Sequence, residues 1–131
     1  MLILNFDTQD GTLYEVEYDK EFEVESDRVV LSESQAIDRA WAVYVRECSA
    51  VGIEPRGDPS EARVKIHFAA SNGFAGSPDT YKAWPIRFRL VYRVEFGPLK
   101  EVVPGIGVSD SVNVCAESGR IWGGAILRGS G

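Results

Sequence analysis

From Trp84 to Phe96 every even-numbered residue is apolar: Trp84, Ile86, Phe88, Leu90, Tyr92, Val94 and Phe96. The odd positions are mostly charged, with Arg87, Arg89, Arg93 and Glu95. Successive side chains of a strand point to opposite faces, so a period of two held this long predicts a strand with one core face and one polar face. Any fold open to this chain must supply a buried surface for the first face and a use for the arginines of the second. A second alternation runs from Leu13 to Val24. There Tyr14, Val16, Tyr18, Phe22 and Val24 share one face, and Glu15, Glu17, Asp19, Glu21, Glu23 and Glu25 the other. Strands seldom exceed about ten residues, so this run should bend or break near Asp19-Lys20.

Between these strands lies one helix signal. Ser32-Glu33-Ser34-Gln35 fits a capping box, in which the Ser32 hydroxyl accepts from a free backbone N–H and Gln35 reaches back. Glu33 suits the positive end of a helix. Ala36, Ile37, Ala40, Trp41, Tyr44, Val45 and Cys48 recur at spacings of three and four, which predicts an apolar stripe over about 33–50, stopped at Gly52. Leu2–Phe6 reads as a first strand, joined to the second by the turn-rich Asp7–Gly11. Val64, Ile66 and Phe68 alternate with Arg63, Lys65 and His67, another strand with a basic outer side. Ser71–Asp79 is a turn-rich loop. Gly97–Gly107 holds two prolines and three glycines and reads as irregular. Ser111–Ala116 and Arg120–Leu127 form a closing hairpin around Glu117-Ser118-Gly119, and 129–131 reads as a frayed tail.

The 131 residues suit one domain, able to bury about two-thirds of its unfolded surface without disulfides. The net charge of −6 argues against nucleic-acid binding or adhesion to an anionic membrane. No stretch approaches about 18 apolar residues, so no membrane insertion is expected. The N-terminus shows no positively charged region followed by an apolar stretch, so no signal peptide is expected. That places it in the cytoplasm if Met1 is the native start, and outside it if the chain is an excised module.

Catalytic and metal chemistry find little support. His67 is the one histidine and no Cys-x-x-Cys or His-x-x-x-His spacing occurs, so no metal and no cofactor are expected. His67 should lie on the outer face beside Lys65 as a solvated side chain, with no nucleophile and orienting carboxylate to serve it. Cys48 falls on the helix stripe as an inert thiol, and Cys115, at a hairpin edge, is the more reactive candidate. Asp7-Thr8-Gln9-Asp10-Gly11 has too few ligands for a calcium loop. Gly105-Ile106-Gly107 lacks the following helix of a dinucleotide loop. Acidic residues are plentiful, and none stands out in an apolar setting. An inner sheet face whose sole polar group is Tyr92 disfavours a pocket enzyme.

The order is strand pair, capped helix, then four strands in meander. It resembles the PepSY-like group of cystatin-like domains. The group's helix motif S-x-x-x-A-I-x-x-A stands here as Ser32, Ala36, Ile37 and Ala40. Its Ala-Trp strand start is Ala83-Trp84-Pro85-Ile86, and its Tyr-x-Val-x-Phe stretch is Tyr92, Val94 and Phe96. Its closing hairpin V-x-V-D-A-x-(T/S)-G-x-I is Val112-Asn113-Val114-Cys115-Ala116-Glu117-Ser118-Gly119-Arg120-Ile121. The match covers about 32–124. Cys115 stands where the group has Asp, so no role resting on that carboxylate carries over. The resemblance implies a non-enzymatic module, often extracytoplasmic, of a kind proposed to inhibit or chaperone peptidases or to sense ligands beside a membrane. Glu101-Val102-Val103-Pro104-Gly105 further looks like the Gln-x-Val-x-Gly wedge of cystatins. Here Glu replaces Gln, and the segment follows the second strand after the helix instead of the first. A Pro-Gly turn explains the same residues.

The expected architecture is α+β and cystatin-like, a single domain over 1–131. One long helix packs across a curved antiparallel sheet, with an N-terminal β-hairpin at 1–25 and helix plus four-strand meander over 32–127. Leu4–Leu13 and Val112–Ile121 echo each other, with Asn5 and Asn113, and Gly11 and Gly119, at one constant offset. Similar turn chemistry explains this, as does a preceding related module. The functional expectation is a non-catalytic protein- or peptide-binding module, a peptidase inhibitor or regulator, acting as a monomer or weak homodimer. The alternatives are a small acidic immunity-type inhibitor of a basic partner and an NTF2-like pocket enzyme. Candidate partner-binding residues are Lys65, His67, Arg87, Arg89 and Arg93, with Phe74 and Val103. The competing reading of the basic row is structural: Arg and Glu rows on neighbouring strands would pair across an antiparallel sheet and set its register.

Overall fold

A computed structural model of the protein describes residues 2–6, 13–18, 22–74, 76–82 and 84–127. The Asp7–Gly11 turn, Asp19, Lys20 and Glu21, Ala83 and the tail lie outside the described residues, as do the side chains of Glu15 and Glu17. The elements are β1 (Leu2–Phe6), β2 (Leu13–Tyr18), β3 (Phe22–Ser26), α1 (Glu33–Ala50), β4 (Arg63–Ala70), β5 (Ile86–Val103), β6 (Ile106–Cys115) and β7 (Ile121–Ala125). Short 3-10 turns at Pro59–Glu61 and Asp79–Lys82 precede β4 and β5. The class is α+β, one helix packed on a mixed sheet of five strands.

The helix forms where the capping residues put it. The Ser32 hydroxyl accepts from Gln35 N at 3.1 Å, and Ser32 N donates to Gln35 Oε1 at 2.9 Å. Two exits from β3 tie this end to the sheet: Val30 N and Leu31 N both donate to Ala116 O at 2.9 Å. The Tyr92 hydroxyl donates to Leu31 O at 2.7 Å. Ala36, Ala40, Tyr44 and Cys48 then lie fully buried at intervals of four. They meet Tyr92, Val94 and Phe96 of β5 and Val112 and Val114 of β6. Tyr44 stacks on Phe96 with ring centroids 4.7 Å apart, and Trp41 meets the same ring edge-on at 5.3 Å. Burial of an aromatic side chain this size contributes about 1.5–3 kcal/mol.

β5 is the central strand. Phe88 pairs with both Val24 of β3 and Ala70 of β4, so these flank it on opposite edges. Val94 likewise pairs with Val64 of β4 and Val112 of β6. β3 and β6 therefore share one edge of β5 in tandem, β3 along its start and β6 beyond Val91. β3 runs parallel to β5, while β4, β6 and β7 run antiparallel to their neighbours. The sheet is thus mixed where an antiparallel one was expected, because β3 and β5 are joined by a long crossover through α1 and β4 and not by a tight turn.

This pairing also divides the acidic row. β2 pairs with β1 in a separate two-stranded sheet, and Glu23 and Glu25 are the row's members on β3, beside β5. Arg87 Nε lies 3.7 Å from Glu23, and Arg89 Nη2 3.2 Å from Glu25. Two further expectations need correcting on β4 and β5. Trp84 precedes the strand and is 67% exposed, and Ile66 is 49% exposed because β4 is an edge strand at the margin of the helix's cover.

The sheet curls until its outer strands meet. Trp122 of β7 donates its indole N–H to Ala69 O of β4 at 2.8 Å. The Asn72 side chain serves the free edge of β7 as a strand would, donating to Gly124 O at 2.9 Å and accepting from Gly124 N at 3.2 Å. The curl encloses part of the face opposite the helix, where Val91, Cys115 and Trp122 are buried beside Ala69. Cys115 is therefore buried, not an exposed edge thiol. Both cysteines are free, and burial raises both thiol pKa values, so neither is primed for reaction.

Candidate functional site

Two surfaces stand out. The first is the charged face opposite the helix, where three strands place polar residues in register. Lys65 of β4, Arg93 of β5 and Asn113 of β6 form one row, and Arg63, Glu95 and Ser111 the next. Lys65 and Arg93 thus lie directly across from each other, a like-charge pairing that costs stability on its own. Glu95 resolves part of the conflict. Only 4% exposed, its carboxylate lies 3.3 Å from Lys65 Nζ, 3.2 Å from Arg93 Nε and 3.6 Å from Arg63 Nε. The Ser109 hydroxyl donates to its other oxygen at 3.3 Å. Burial pushes the Glu95 carboxyl up, but the three cations outweigh it and hold the group below the ordinary carboxylate value.

Of the expected partner-binding residues, Lys65, His67 and Arg93 come together here. His67 is half-buried, where a solvated side chain was expected, because the curl of the sheet screens its face. Burial, followed by the charge of Arg93, lowers its pKa, so the ring is neutral at pH 7. Arg87 and Arg89 sit at the other end of β5. Arg89 is engaged with Glu25, with Glu117 at 3.8 Å, and with the Trp122 ring at 5.3 Å. Phe74 packs against the helix-side core next to Gly124, away from the basic face. Val103 belongs to the second surface.

That second surface is an arm. Gly97–Gly107, expected to be irregular, continues β5 and β6 as a two-stranded ribbon turning at Pro104-Gly105. Residues 98–107 are all exposed. Leu99, Val102, Val103 and Ile106 present apolar side chains that are 49–58% exposed. No other strand pairs with this ribbon among the described residues. Glu101 Oε1 accepts from Gly105 N at 2.7 Å and fixes the tip, and Gly105, at φ 82°, supplies the left-handed backbone the turn needs.

A group that sequence reasoning missed lies on the helix side. Asp110 is buried, accepts from Arg56 Nη1 at 2.8 Å on both oxygens and from Leu127 N at 2.8 Å, and takes a hydrogen bond from the Tyr44 hydroxyl. Burial and then this carboxylate push the Tyr44 hydroxyl pKa up. The sequence signal was present: Asp110 shares its strand face with Val112 and Val114, a carboxylate in an apolar row.

The fold and these surfaces define an α+β protein with one helix on a curled mixed sheet, a charged face opposite the helix and an apolar arm. Comparison with protein-family models, with curated proteins and with solved structures finds no match. No helix among the described residues is long and apolar enough to cross a membrane.

The charged face makes stability depend on pH with a definite sign. The folded chain holds Glu95 below its ordinary 4.5 and His67 below its ordinary 6.5. In both cases the unfolded chain takes up the proton first, so stability falls as pH falls, from about 6.5 downward and again below about 4.5. Urea midpoints measured between neutral and mildly acid pH should show this decline. His67→Gln should flatten the upper part and Glu95→Gln the lower part.

Proposed function

We propose that the chain is a non-catalytic protein- or peptide-binding module of the PepSY-like kind, an inhibitor or regulator of a peptidase, and that the arm is its contact surface. The observation that supports this most is the arm itself. Four exposed apolar side chains on an isolated ribbon are unfavourable in water, and an apolar projection of this sort suits an interaction site. Both ribbon edges also offer unpaired backbone groups to an added strand. The tip held by Glu101 lowers the ordering cost of insertion into a cleft.

The test assays representative cysteine, serine and metallopeptidases with the purified protein. One class should be bound or inhibited. The double variant Val103→Asp, Ile106→Asp should bind at least about tenfold more weakly, and because both positions are exposed its melting temperature should move by no more than about 2 °C. Binding to none of the peptidases, equal binding by the arm variant, or turnover of a small molecule would each overturn the proposal.

A further inference from the structure

We propose that the face opposite the helix carries a receptor site for a side-chain carboxylate of an acidic peptide segment, formed by Arg63, Lys65 and Arg93 around Glu95. This inference rests on the reading of the chain as a binding module and names the chemistry of a second contact, separate from the arm.

The argument begins with charge. Three cations converge on one carboxylate, so among the described residues the cluster carries two positive charges that nothing within it balances. Two of the cations, Lys65 and Arg93, face each other directly across the β4–β5 ladder. A purely structural row would interleave signs, as Arg87 and Arg89 do with Glu23 and Glu25 at the other end of the same strand. Natural chains break such local rules chiefly at functional sites.

Hydrogen bonding points the same way. Lys65 Nζ and Arg93 Nε both lie against Glu95 Oε1, at 3.3 and 3.2 Å, so one oxygen serves two cations. A peptide side-chain carboxylate offers two further acceptors to such donors. The site is within reach of such a ligand. Lys65 is 68% exposed, and the Arg63 and Arg93 side chains are each about one-third open. Glu95, held from beneath by Ser109, keeps the cationic groups gathered near one point.

The protein's net charge of −6 repels an acidic peptide at long range, so binding must come from the local site and not from the field of the whole molecule. The test titrates the intact protein into fluorescein-labelled hexaglutamate and follows anisotropy, with hexaglutamine and hexalysine as comparison probes. Saturable binding of hexaglutamate, weakening with salt and at least about tenfold tighter than hexaglutamine, is expected. Arg63→Gln with Lys65→Gln should remove it, while Arg46→Gln on the exposed helix face should not. Glu95→Gln takes away the internal competitor and should strengthen binding if the variant folds; the Lys65→Gln single variant, at an exposed position, keeps the test decisive if it does not. No saturable binding, unchanged binding by the double variant, or full competition by inorganic phosphate at equal concentration would overturn the proposal, the last by showing a simple anion site. If hexaglutamate fails while arm-dependent peptidase binding stands, this inference falls and the module reading survives.

Discussion

Asp110→Ala should lower the unfolding free energy by about 3 kcal/mol, measured by urea denaturation at neutral pH. Removing one partner of a buried ion pair typically costs about 3–5 kcal/mol, because the other is left unbalanced. The lower end applies here because the Arg56 side chain is 34% exposed and can recover some hydration. The loss has three parts. Arg56 Nη1 loses both oxygens, the Tyr44 hydroxyl loses its acceptor inside the core, and Leu127 N loses the carboxylate that holds the chain after β7. Asp110→Asn keeps an acceptor for Leu127 N and should cost clearly less. Hydrogen exchange at Leu127 should accelerate in the alanine variant. A loss below about 1 kcal/mol, the net worth of one ordinary hydrogen bond, would show that this network does not hold the fold.

Phe96→Ala should cost about 3–5 kcal/mol, the usual range for deleting a buried aromatic ring. Phe96 is 1% exposed and carries the Tyr44 stack and the Trp41 edge contact together, so its removal opens a cavity between α1 and β5 that neither element can close. Against a total stability of about 5–15 kcal/mol, that loss brings the domain near its threshold. Phe96→Leu retains most of the volume and should cost about 1.5 kcal/mol. The two alanine substitutions share Tyr44 as a neighbour, so their effects should not add, and a double-mutant cycle should return a coupling of at least about 0.5 kcal/mol. Full additivity would separate the aromatic stack from the buried carboxylate.

What the chain reveals in linear form is its local structure. The capping box at Ser32 and Gln35, the helix stripe and the strand at 86–96 depend on neighbours a few residues away, and the structure repeats them in outline: Ala36, Ala40, Tyr44 and Cys48 are buried, while Val45 of the expected stripe is exposed and Glu95 of the expected outer face is buried. The long-range pairings were hidden. A strand that alternates Glu with apolar residues can lie on either side of β5 or in another sheet, and the break after Tyr18 sent β2 elsewhere. The arm was hidden for a different reason. Prolines and glycines weaken a strand within a sheet, yet a two-stranded ribbon with free edges tolerates Pro98, and Gly97, at φ 78°, accommodates the bulge at its root. The charged face was half legible. Lys65, His67 and Arg93 could be placed on one side from their parity alone. That Glu95 would be their buried centre follows from the curl of the sheet, which no pattern along the chain encodes.

The root of the arm has a consequence for tracing this protein's ancestry. A Cβ at Gly57 would lie 2.8 Å from Gly97 N, and one at Gly97 would lie 2.7 Å from Arg56 Cβ, so the loop before β4 and the root of the arm fit only as two bare backbones. Arg56, beside this contact, donates its backbone N–H to the Tyr44 hydroxyl at 2.9 Å and its Nη1 to Asp110. A side chain gained at either glycine would push on Arg56 or on the root of the arm and so disturb the ion pair with Asp110. The three positions 57, 97 and 110 should therefore drift together or not at all. In distant sequences too diverged to align by overall similarity, two glycines and an aspartate at these spacings would mark common descent.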